Sequence, residues 1–169
     1  MAKPIRPIRI EGDLAYITLT KGYTAVIDAA DVPLVSDGNW TALVVKHTVY
    51  ARRVLGPTSN QRAYYLHRVL VGSPEGLEID HWDRNGLNNR RGNLRLATPE
   101  ENRRSQGLSV KNRSGFKGVG WDKDAGKWRA RIMVKSKLIH LGMFDIKEDA
   151  AAAYAKASAE LHGEFGCIA

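Results

Sequence analysis

The sequence is poor in cysteine. Cys167 is the one cysteine among 169 residues, so an internal disulfide is excluded and a reducing, intracellular compartment is the natural expectation. A structural zinc site is also disfavoured, because such sites use closely spaced Cys and His ligands. The five histidines of this chain are instead scattered along it.

The chain also lacks a long apolar run. No stretch approaches the roughly 18 consecutive apolar residues of a membrane-spanning helix, and the mean hydropathy is −0.35. The first residues, MAKPIRPIRIEGD, are basic but lack an apolar segment of about 7–15 residues, so a secretory signal is not expected there. We therefore expect a cytoplasmic protein without a membrane partner.

Acidic residues are scarce relative to basic ones. The chain has 26 Lys and Arg against 18 Asp and Glu, a formal net charge of +8 at pH 7, and its sequence pI is about 9.7. The excess is local, since residues 84–117 contain nine Lys or Arg and only two acids, Glu100 and Glu101. Clustered cations of this kind favour a polyanionic partner such as a nucleic acid; a merely solvated basic surface is the alternative.

The first third of the chain is typical of β-structure. Residues 10–55 contain short apolar stretches punctuated by Gly and Asp, and LAYITL (14–19) has the two-residue alternation of a half-buried strand. The stretch AYYLHRVLV (63–71) is compatible with a strand or with a short helix, because its periodicity does not decide between them. The basic KPIRPIR tail (3–9) is expected either to contact the polyanion or to be disordered.

A helix start and a linker follow in the second half. In TPEEN (98–102), Thr98 can cap a helix, Pro99 suits its first position, and the acids favour the positive end of the helix dipole. This helix is expected to reach about residue 106. The polar, basic stretch 107–114 then reads as a linker.

The C-terminal residues 115–169 predict a three-stranded antiparallel sheet packed on one helix. Turn signals at DKDAG and VKSK separate the strands, and the last helix is rich in alanine. The middle strand alternates between an apolar and a basic face. The apolar face carries Trp128, Ala130, Ile132 and Val134, and the basic face carries Lys127, Arg129 and Arg131.

Residues 78–104, EIDHWDRNGLNNRRGNLRLATPEENRR, place the carboxylate of Asp80 beside the imidazole of His81 among arginines and asparagines. Phosphodiester hydrolysis needs a base that deprotonates water and a cation that neutralises the phosphate. Magnesium prefers oxygen ligands and takes few of them from the protein. Adjacent strand residues point to opposite sides, so His81 would stand beside a metal on Asp80 without ligating it. Asn85-Gly86 and Asn88-Asn89 read as ordinary turn formers.

Three stretches together resemble the HNH nuclease family, and within it the phage intron homing endonucleases. They are LHR (66–68), IDHWDRNGLNNRRGNLR (79–95) and TPEENRR (98–104). The resemblance implies a ββα-metal unit over residues 65–106, with two short antiparallel strands and a helix around one divalent metal. The family positions fall on Asp80-His81, Asn93 and Asn102.

Carried over residue by residue, this resemblance implies a metal site and a general base. Asp80 and Asn102 would bind Mg²⁺ or Mn²⁺, and His81 would be the base. Asn93 would fix the loop between the strands and orient His81 by a hydrogen bond. His67 would lie near the site, touching DNA or bracing His81. The arginines expected to hold the phosphate backbone are Arg90, Arg91, Arg95, Arg103 and Arg104.

Four short motifs near the C-terminus resemble the plant ethylene-response-factor type DNA-binding domain. They are Gly118-Val119, Gly126 to Ala130, His140 to Phe144 and Glu148 to Tyr154. The resemblance covers about residues 114–166 and implies a sheet that lies in the major groove of double-stranded DNA. Predicted contacts are Lys117, Trp121, Lys123, Lys127, Arg129, Arg131, Lys135 and Lys137. Lys117 and Gly120 stand where the family has arginine, which weakens base reading, and Trp128 is expected in the core.

These interpretations combine in an α+β protein. We expect a β-rich segment at 1–64, the nuclease unit at 65–106, a linker at 107–114 and the sheet-plus-helix domain at 115–169. The predicted function is a metal-dependent DNA endonuclease of homing type, encoded by a phage or bacterium, that cuts at a preferred site. One nuclease unit per chain favours a monomer that nicks one strand. The alternatives are a sequence-specific DNA-binding regulator with an inactive nuclease unit, and a nonspecific nuclease.

Overall fold

The computed structural model describes residues 4–45, 48–109 and 111–168. It confirms a mixed α and β chain, with several small antiparallel sheets and few helices. The chain divides into two compact units, Met1–Ala97 and Thr98–Ala169. Lys3 of the basic tail and Val110 of the predicted linker lie outside the described residues. Within the described part, no helix has both the length and the apolar character needed to cross a membrane.

The first unit contains two three-stranded sheets, a hairpin and a short helix. The first sheet consists of β1 (Ile8–Glu11), β2 (Leu14–Thr18) and β3 (Thr24–Asp28), and the second of β4 (Thr41–Val44), β5 (Val49–Leu55) and β6 (Arg62–Tyr65). The helix is α1 (Leu66–Val71). The hairpin pairs β7 (Glu78–His81) with β8 (Leu94–Ala97). Residues 63–71 thus begin as a strand and continue as a helix. The sequence left these two alternatives open because a nine-residue apolar stretch satisfies both periodicities.

The core of this unit follows the alternation that the sequence predicts for β2. Ala15 and Ile17 are buried on one side of the strand, against Trp40 and Leu66. The basic tail is not free, because Arg6 donates through Nε to the carbonyl oxygen of Thr18 at 2.9 Å and also bonds the carbonyl oxygen of Trp40. The expectation of a disordered tail is therefore wrong for Arg6, which is used inside the unit, while contact of the tail with a polyanion stays a prediction.

The second unit begins with a short helix and ends with a helix packed on a sheet. Its elements are α2 (Pro99–Ser105), β9 (Val119–Asp122), β10 (Lys127–Val134), β11 (Lys137–Phe144) and α3 (Lys147–His162), with β10 in the middle of the sheet. The predicted cap of α2 is present as a capping box: Thr98 Oγ1 accepts from the Glu101 backbone, and the Glu101 carboxylate accepts from the Thr98 backbone.

The apolar face of β10 forms the core of this unit. Ala130 and Ile132 are buried against Ala150 and Tyr154 of α3, and Trp128 packs at the margin of the same cluster. A stripe of alanines lets α3 lie close to the sheet, since small side chains permit close approach. The basic face of β10 is left on the side of the sheet away from this core.

Gly118 provides a test of the packing in the second unit. Its φ is +71°, and a Cβ there would lie 2.1 Å from the Tyr154 ring and 2.4 Å from the Arg131 carbonyl oxygen. Gly118→Ala should therefore lower the free energy of unfolding by about 2–4 kcal/mol, through backbone strain and overpacking. Gly120→Ala is the matched control, because a Cβ there meets nothing within 4 Å. Urea unfolding of the full chain measures both; equal stabilities would contradict this account.

Candidate active site

The hairpin of β7 and β8 positions the predicted catalytic pair at the end of its first strand. Asp80 pairs with Arg95 in the register, and His81 pairs with Leu94. Asp80 and His81 are both buried. The Arg95 guanidinium lies 2.6 Å (Nη2) and 2.8 Å (Nε) from Asp80 Oδ2 and stacks over the Trp82 ring at 4.4 Å. The carboxylate therefore has a cationic partner inside the protein.

The loop between the two strands is closed by Asn93. Its Nδ2 donates to Asp83 Oδ1 at 2.9 Å and to the Asn88 carbonyl oxygen at 2.8 Å, and its Oδ1 accepts from the Asp83 backbone at 3.1 Å. Burial raises the pKa of Asp83, but hydrogen bonds from Asn88, Asn85 and Asn93 outweigh it and the net pKa is lowered. Asn93 thus has the loop-fixing contacts that the sequence predicts, whereas its direct hydrogen bond to His81 does not form.

The amide that lies against His81 belongs to Asn89. This side chain is fully buried, at 0% exposure. Its Nδ2 donates to the Gly86 carbonyl oxygen at 3.3 Å, so its Oδ1 faces His81 Nε2 at 3.5 Å, the outer limit of a hydrogen bond. Because an amide oxygen only accepts, Nε2 carries the proton in this arrangement and Nδ1 holds the lone pair. The sequence predicts Asn89 as a turn former because of the Asn88-Asn89 pair, whereas its burial results from the tertiary structure.

Strand β3 supports this loop from behind. Val26 donates to the carbonyl oxygen of Leu87 at 2.8 Å and accepts from the backbone of Asn89 at 2.7 Å, and Val26 forms a parallel bridge with Asn88. Gly86 packs so closely on β5 that a Cβ there would lie 2.6 Å from the Val49 carbonyl oxygen. The N-terminal sheets therefore hold the loop that carries Asn89.

Asp28, at the end of β3, and Asp31, just after it, hold the arginines of the same loop. Arg91 makes a bidentate ion pair with the buried Asp31, at 2.8 and 3.0 Å, and its backbone donates to Asp28 at 2.8 Å. Arg90 reaches Asp28 at 3.4 Å. The sequence placed both arginines on the phosphate backbone, and it missed the aspartates because they lie some 60 residues away.

A cluster of aromatic rings packs on the other side of His81. The His67 ring lies 5.2 Å from the His81 ring and stacks on Tyr65 at 5.6 Å, and Tyr50 contacts both histidines. His67 is only 8% exposed. These contacts support the bracing of His81, and the alternative role of His67 as a DNA contact stays a prediction.

Burial controls the protonation of both histidines. Desolvation lowers the pKa of His67 to about 3, with the nearby charges of His81 and Arg68 acting in the same direction. Desolvation also lowers the pKa of His81, although the hydrogen bond to Asn89 and the carboxylates of Asp83 and Asp80 oppose it. His81 is consequently neutral near pH 7, as a proton acceptor must be.

The remaining predicted residues of the nuclease unit lie on α2, in the second compact unit. Asn102 is partly buried, and its backbone donates to the Thr98 carbonyl oxygen at 2.9 Å. Arg104 pairs with Glu100 at 2.8 Å, and Arg103 bonds the Pro99 carbonyl oxygen at 3.1 Å. Of these two arginines, Arg103 is the exposed one.

Several predicted contacts on the C-terminal sheet are already engaged. Lys117 Nζ donates to the carbonyl oxygens of Arg104 and Gln106 at the end of α2, so it acts as a helix cap. Arg129 pairs with Asp122 at 2.8 Å and Lys127 with Asp145 at 3.1 Å. The exposed members of the predicted set are Trp121, Lys123, Arg131, Lys135 and Lys137. Trp121 is 50% exposed and contacts Trp128 edge-to-face at 5.2 Å.

The donor set offers oxygen rather than sulfur or a histidine cluster. Among residues 4–45, 48–109 and 111–168, no three His, Cys, Asp or Glu side chains gather as a metal-binding group. The predicted ligands are one carboxylate and one amide, from Asp80 and Asn102. Carboxylate and amide oxygens are the ligands that Mg²⁺ and Mn²⁺ prefer, so the donor chemistry fits these ions.

Comparison with known proteins defines the class of protein to which this site belongs. Residues 64–104 match the model of the HNH endonuclease family. The chain is 30% identical over 156 residues to a protein of Acanthamoeba polyphaga mimivirus named Uncharacterized HNH endonuclease L560, covering 90% of this chain and 79% of that protein. The chain therefore belongs to the HNH endonuclease family, as its motifs predict.

A phage protein is a second relative. Protein 3.8 of Escherichia phage T7 is 39% identical over 92 residues, which are 54% of this chain and 75% of that protein. No solved structure matches the chain significantly. Both relatives are encoded by viruses.

The low pKa of His67 predicts a pH-dependent stability. The unfolded chain binds a proton on this ring below about pH 6.5, whereas the folded chain does so only near pH 3. The free energy of unfolding should therefore fall as the pH is lowered through this window, by up to about 1.4 kcal/mol per pH unit. His67→Gln and His67→Phe should both flatten this slope, although they alter packing differently. Urea unfolding from pH 8 to 4 tests this; variant slopes parallel to the wild-type slope would contradict it.

Proposed function

We propose that this chain is a divalent-metal-dependent DNA endonuclease of homing type, acting on double-stranded DNA at a preferred site. His81 is the general base, Asp80 and Asn102 hold the metal, and Asn93 shapes the loop between the strands. Membership of the HNH endonuclease family and the viral relatives support this assignment. The excess of basic residues, +8 at pH 7, suits a DNA substrate.

The placement of His81 is the observation that carries the proposal. The imidazole is buried beside the Asp80 carboxylate, with Nε2 facing the Asn89 amide oxygen and the rings of His67 and Tyr50 packed against it. This leaves Nδ1 as the proton acceptor. It takes a proton from the attacking water, whose oxygen forms a bond to phosphorus while the bond to the 3′ oxygen breaks. A positioned general base typically contributes about 10²–10⁴ to the rate.

Asp80 and Asn102 would hold the divalent ion through one carboxylate and one amide oxygen. A bound divalent cation supplies charge neutralisation on the scissile phosphate and on the leaving oxygen. Asp80 is held in place by Arg95, which also stacks on Trp82. The ion pair and the stacking together fix the guanidinium of Arg95 beside the carboxylate of Asp80.

The C-terminal sheet would place the enzyme on its site. Its resemblance to ethylene-response-factor type domains supports an appended DNA-reading module. The exposed cations Arg131, Lys135 and Lys137 on β10, β11 and the turn between them suit contact with DNA. A targeted nuclease accounts for this module better than a nonspecific one. The chain is proposed to act as a monomer that nicks one strand.

Replacement of His81 tests the chemistry. With Mg²⁺ or Mn²⁺, the wild-type chain should nick a supercoiled plasmid that carries the sequence flanking the insertion point of its own gene. His81→Ala and His81→Gln should lower this rate by about 100-fold or more, because the proton acceptor is lost. Gel analysis of plasmid forms measures the rate, and the circular dichroism spectrum reports whether each variant is folded.

Binding by the same variants is the matched control. His81→Gln should retain the wild-type affinity for duplex DNA, since the ring is buried and makes no predicted phosphate contact. Cleavage at the wild-type rate by folded His81→Gln would remove His81 as the base. Tight binding by a wild-type chain that never cuts would instead favour the DNA-binding regulator.

Arg95→Gln tests Asp80 as a metal ligand. Removing the guanidinium leaves a buried carboxylate without this cation and should lower the free energy of unfolding by about 3 kcal/mol. Mg²⁺ or Mn²⁺ should then raise the Tm of Arg95→Gln more than that of the wild type, because the ion restores the lost positive charge. Arg91→Gln, which breaks the separate pair with Asp31, is the control and should show no extra response. Equal shifts in all three proteins, measured by scanning calorimetry, would contradict the assignment.

A further inference from the structure

A groove of about 580 Å³ lies within the second unit, beside the exposed face of the sheet. Helix α2, the segment 117–120 and the end of β10 form its walls, and α3 reaches it through Tyr154 and His162. It is open on one side to solvent. The groove therefore joins the helix that carries Asn102 to the sheet proposed to read DNA.

The lining of this groove is strongly cationic. Arg103, Arg104, Lys117 and Arg131 contribute positive charges, and Glu100 is the one carboxylate among its lining residues. Glu100 is paired with Arg104 at 2.8 Å. Arg131 is exposed and has no carboxylate partner among the residues that the structure describes. Charge complementarity thus favours an anion in this groove.

Two buried polar atoms of the lining have no hydrogen-bond partner. His162 is 9% exposed; its Nε2 donates to the Met133 carbonyl oxygen at 2.9 Å, and its Nδ1 has no partner. Arg104 Nε is also buried and unpartnered. Leaving such a group unsatisfied costs about 1–3 kcal/mol, so buried polar atoms normally find a partner. Both residues line the same groove. Arg104 Nε is an N–H donor and suits an anion, whereas His162 Nδ1, in a ring that donates through Nε2, is an acceptor and calls for a donor.

The rest of the lining is apolar. Met133 and Leu138 are 50% and 54% exposed, and they lie opposite each other on β10 and β11. A free inorganic anion would leave these side chains uncovered. A sugar-phosphate unit covers them with its deoxyribose while its phosphate meets the cations.

We infer that this groove binds a backbone phosphodiester of the DNA substrate together with the adjacent deoxyribose. The inference rests on the proposed function, and it adds a phosphate site at a defined place between the nuclease helix and the DNA-reading sheet. Arg131 and Arg104 contact the phosphate, and Met133 and Leu138 contact the sugar. The DNA strand in the groove then contacts α2, the helix that carries Asn102. Recognition of the DNA site therefore also positions Asn102.

Filling the groove without changing its charge is the sharpest test. A Cβ on Gly120 meets nothing within 4 Å, so Gly120→Leu should fold and place its side chain in the groove. Its affinity for duplex DNA should fall by about 10-fold, and the slope of log affinity against log salt should become shallower by about 0.9, as for the loss of one phosphate contact. Ala159→Leu, on the exposed side of α3, is the size-matched control and should bind as the wild type does.

A double-variant cycle shows whether one phosphate is involved. Arg131→Gln should produce the same loss of salt slope as Gly120→Leu, and the double variant should bind no more weakly than the weaker single variant. Titration with duplex DNA should also shift the His162 imidazole nitrogen signals in the NMR spectrum of the wild type and leave them unmoved in Gly120→Leu. Three outcomes would each overturn the groove site. The first is that Gly120→Leu has the affinity and salt slope of the wild type, and the second is that the affinity losses of the two single variants are fully additive in the double variant. The third is that DNA leaves the His162 signals of the wild type unmoved.

The outcomes separate this inference from the proposed function. If the wild-type chain binds DNA with the predicted salt slope and His162 shift but never cuts it, the nuclease assignment is contradicted and the phosphate site in the groove is supported. If the wild-type chain cuts DNA and Gly120→Leu binds and cuts it equally well, the phosphate site in the groove is contradicted and the nuclease assignment is supported. Inorganic phosphate alone could saturate the shift of the His162 signals, with no further effect of DNA. This result would identify a site for a free anion and would overturn the assignment of the groove to DNA.

Discussion

The burial of a polar loop against strand β3 is the constraint on which the arrangement around His81 depends. A loop of asparagines and arginines carries many backbone and side-chain hydrogen-bonding groups, and each must find a partner when water is removed. Val26 provides two of these partners through its own N–H and carbonyl oxygen. Asn89 is thereby held at 0% exposure with its amide oxygen towards His81. The N-terminal sheets, which contribute no recognised chemistry, act as the support of the loop.

The same burial explains why two of the predicted arginines are paired with acids of the first unit. A guanidinium next to a buried carboxylate forms an ion pair whose loss is strongly destabilising. Arg91 is committed to Asp31, and Arg95 to Asp80. Part of the local positive charge therefore balances acids inside the first unit. On the C-terminal sheet, cations of the predicted set such as Arg131 and Lys137 are exposed.

Helix α2 is bound by a residue of the second unit, Lys117. Lys117 donates to the last carbonyl oxygens of α2, so this lysine ties the helix to the segment that leads into β9. Lys117, predicted as a DNA contact, thus also has a structural role. The helix that carries Asn102 and the C-terminal sheet therefore belong to one compact unit.

Local chemistry determined the features that the sequence predicts well. The capping box of Thr98 and Glu101, the alternation of β10 and the Asp80-His81 pair depend on neighbours within a few residues, so their spacing is enough to predict them. Family membership follows from the same local spacing. Only the tertiary structure decided which asparagine faces His81, that His67 is buried beneath it, and which arginines are paired. The position of Asn89 and the pairing of Arg90 and Arg91 depend on Val26, Asp28 and Asp31, some 60 residues away in the chain, and such contacts leave no periodic signal in the sequence.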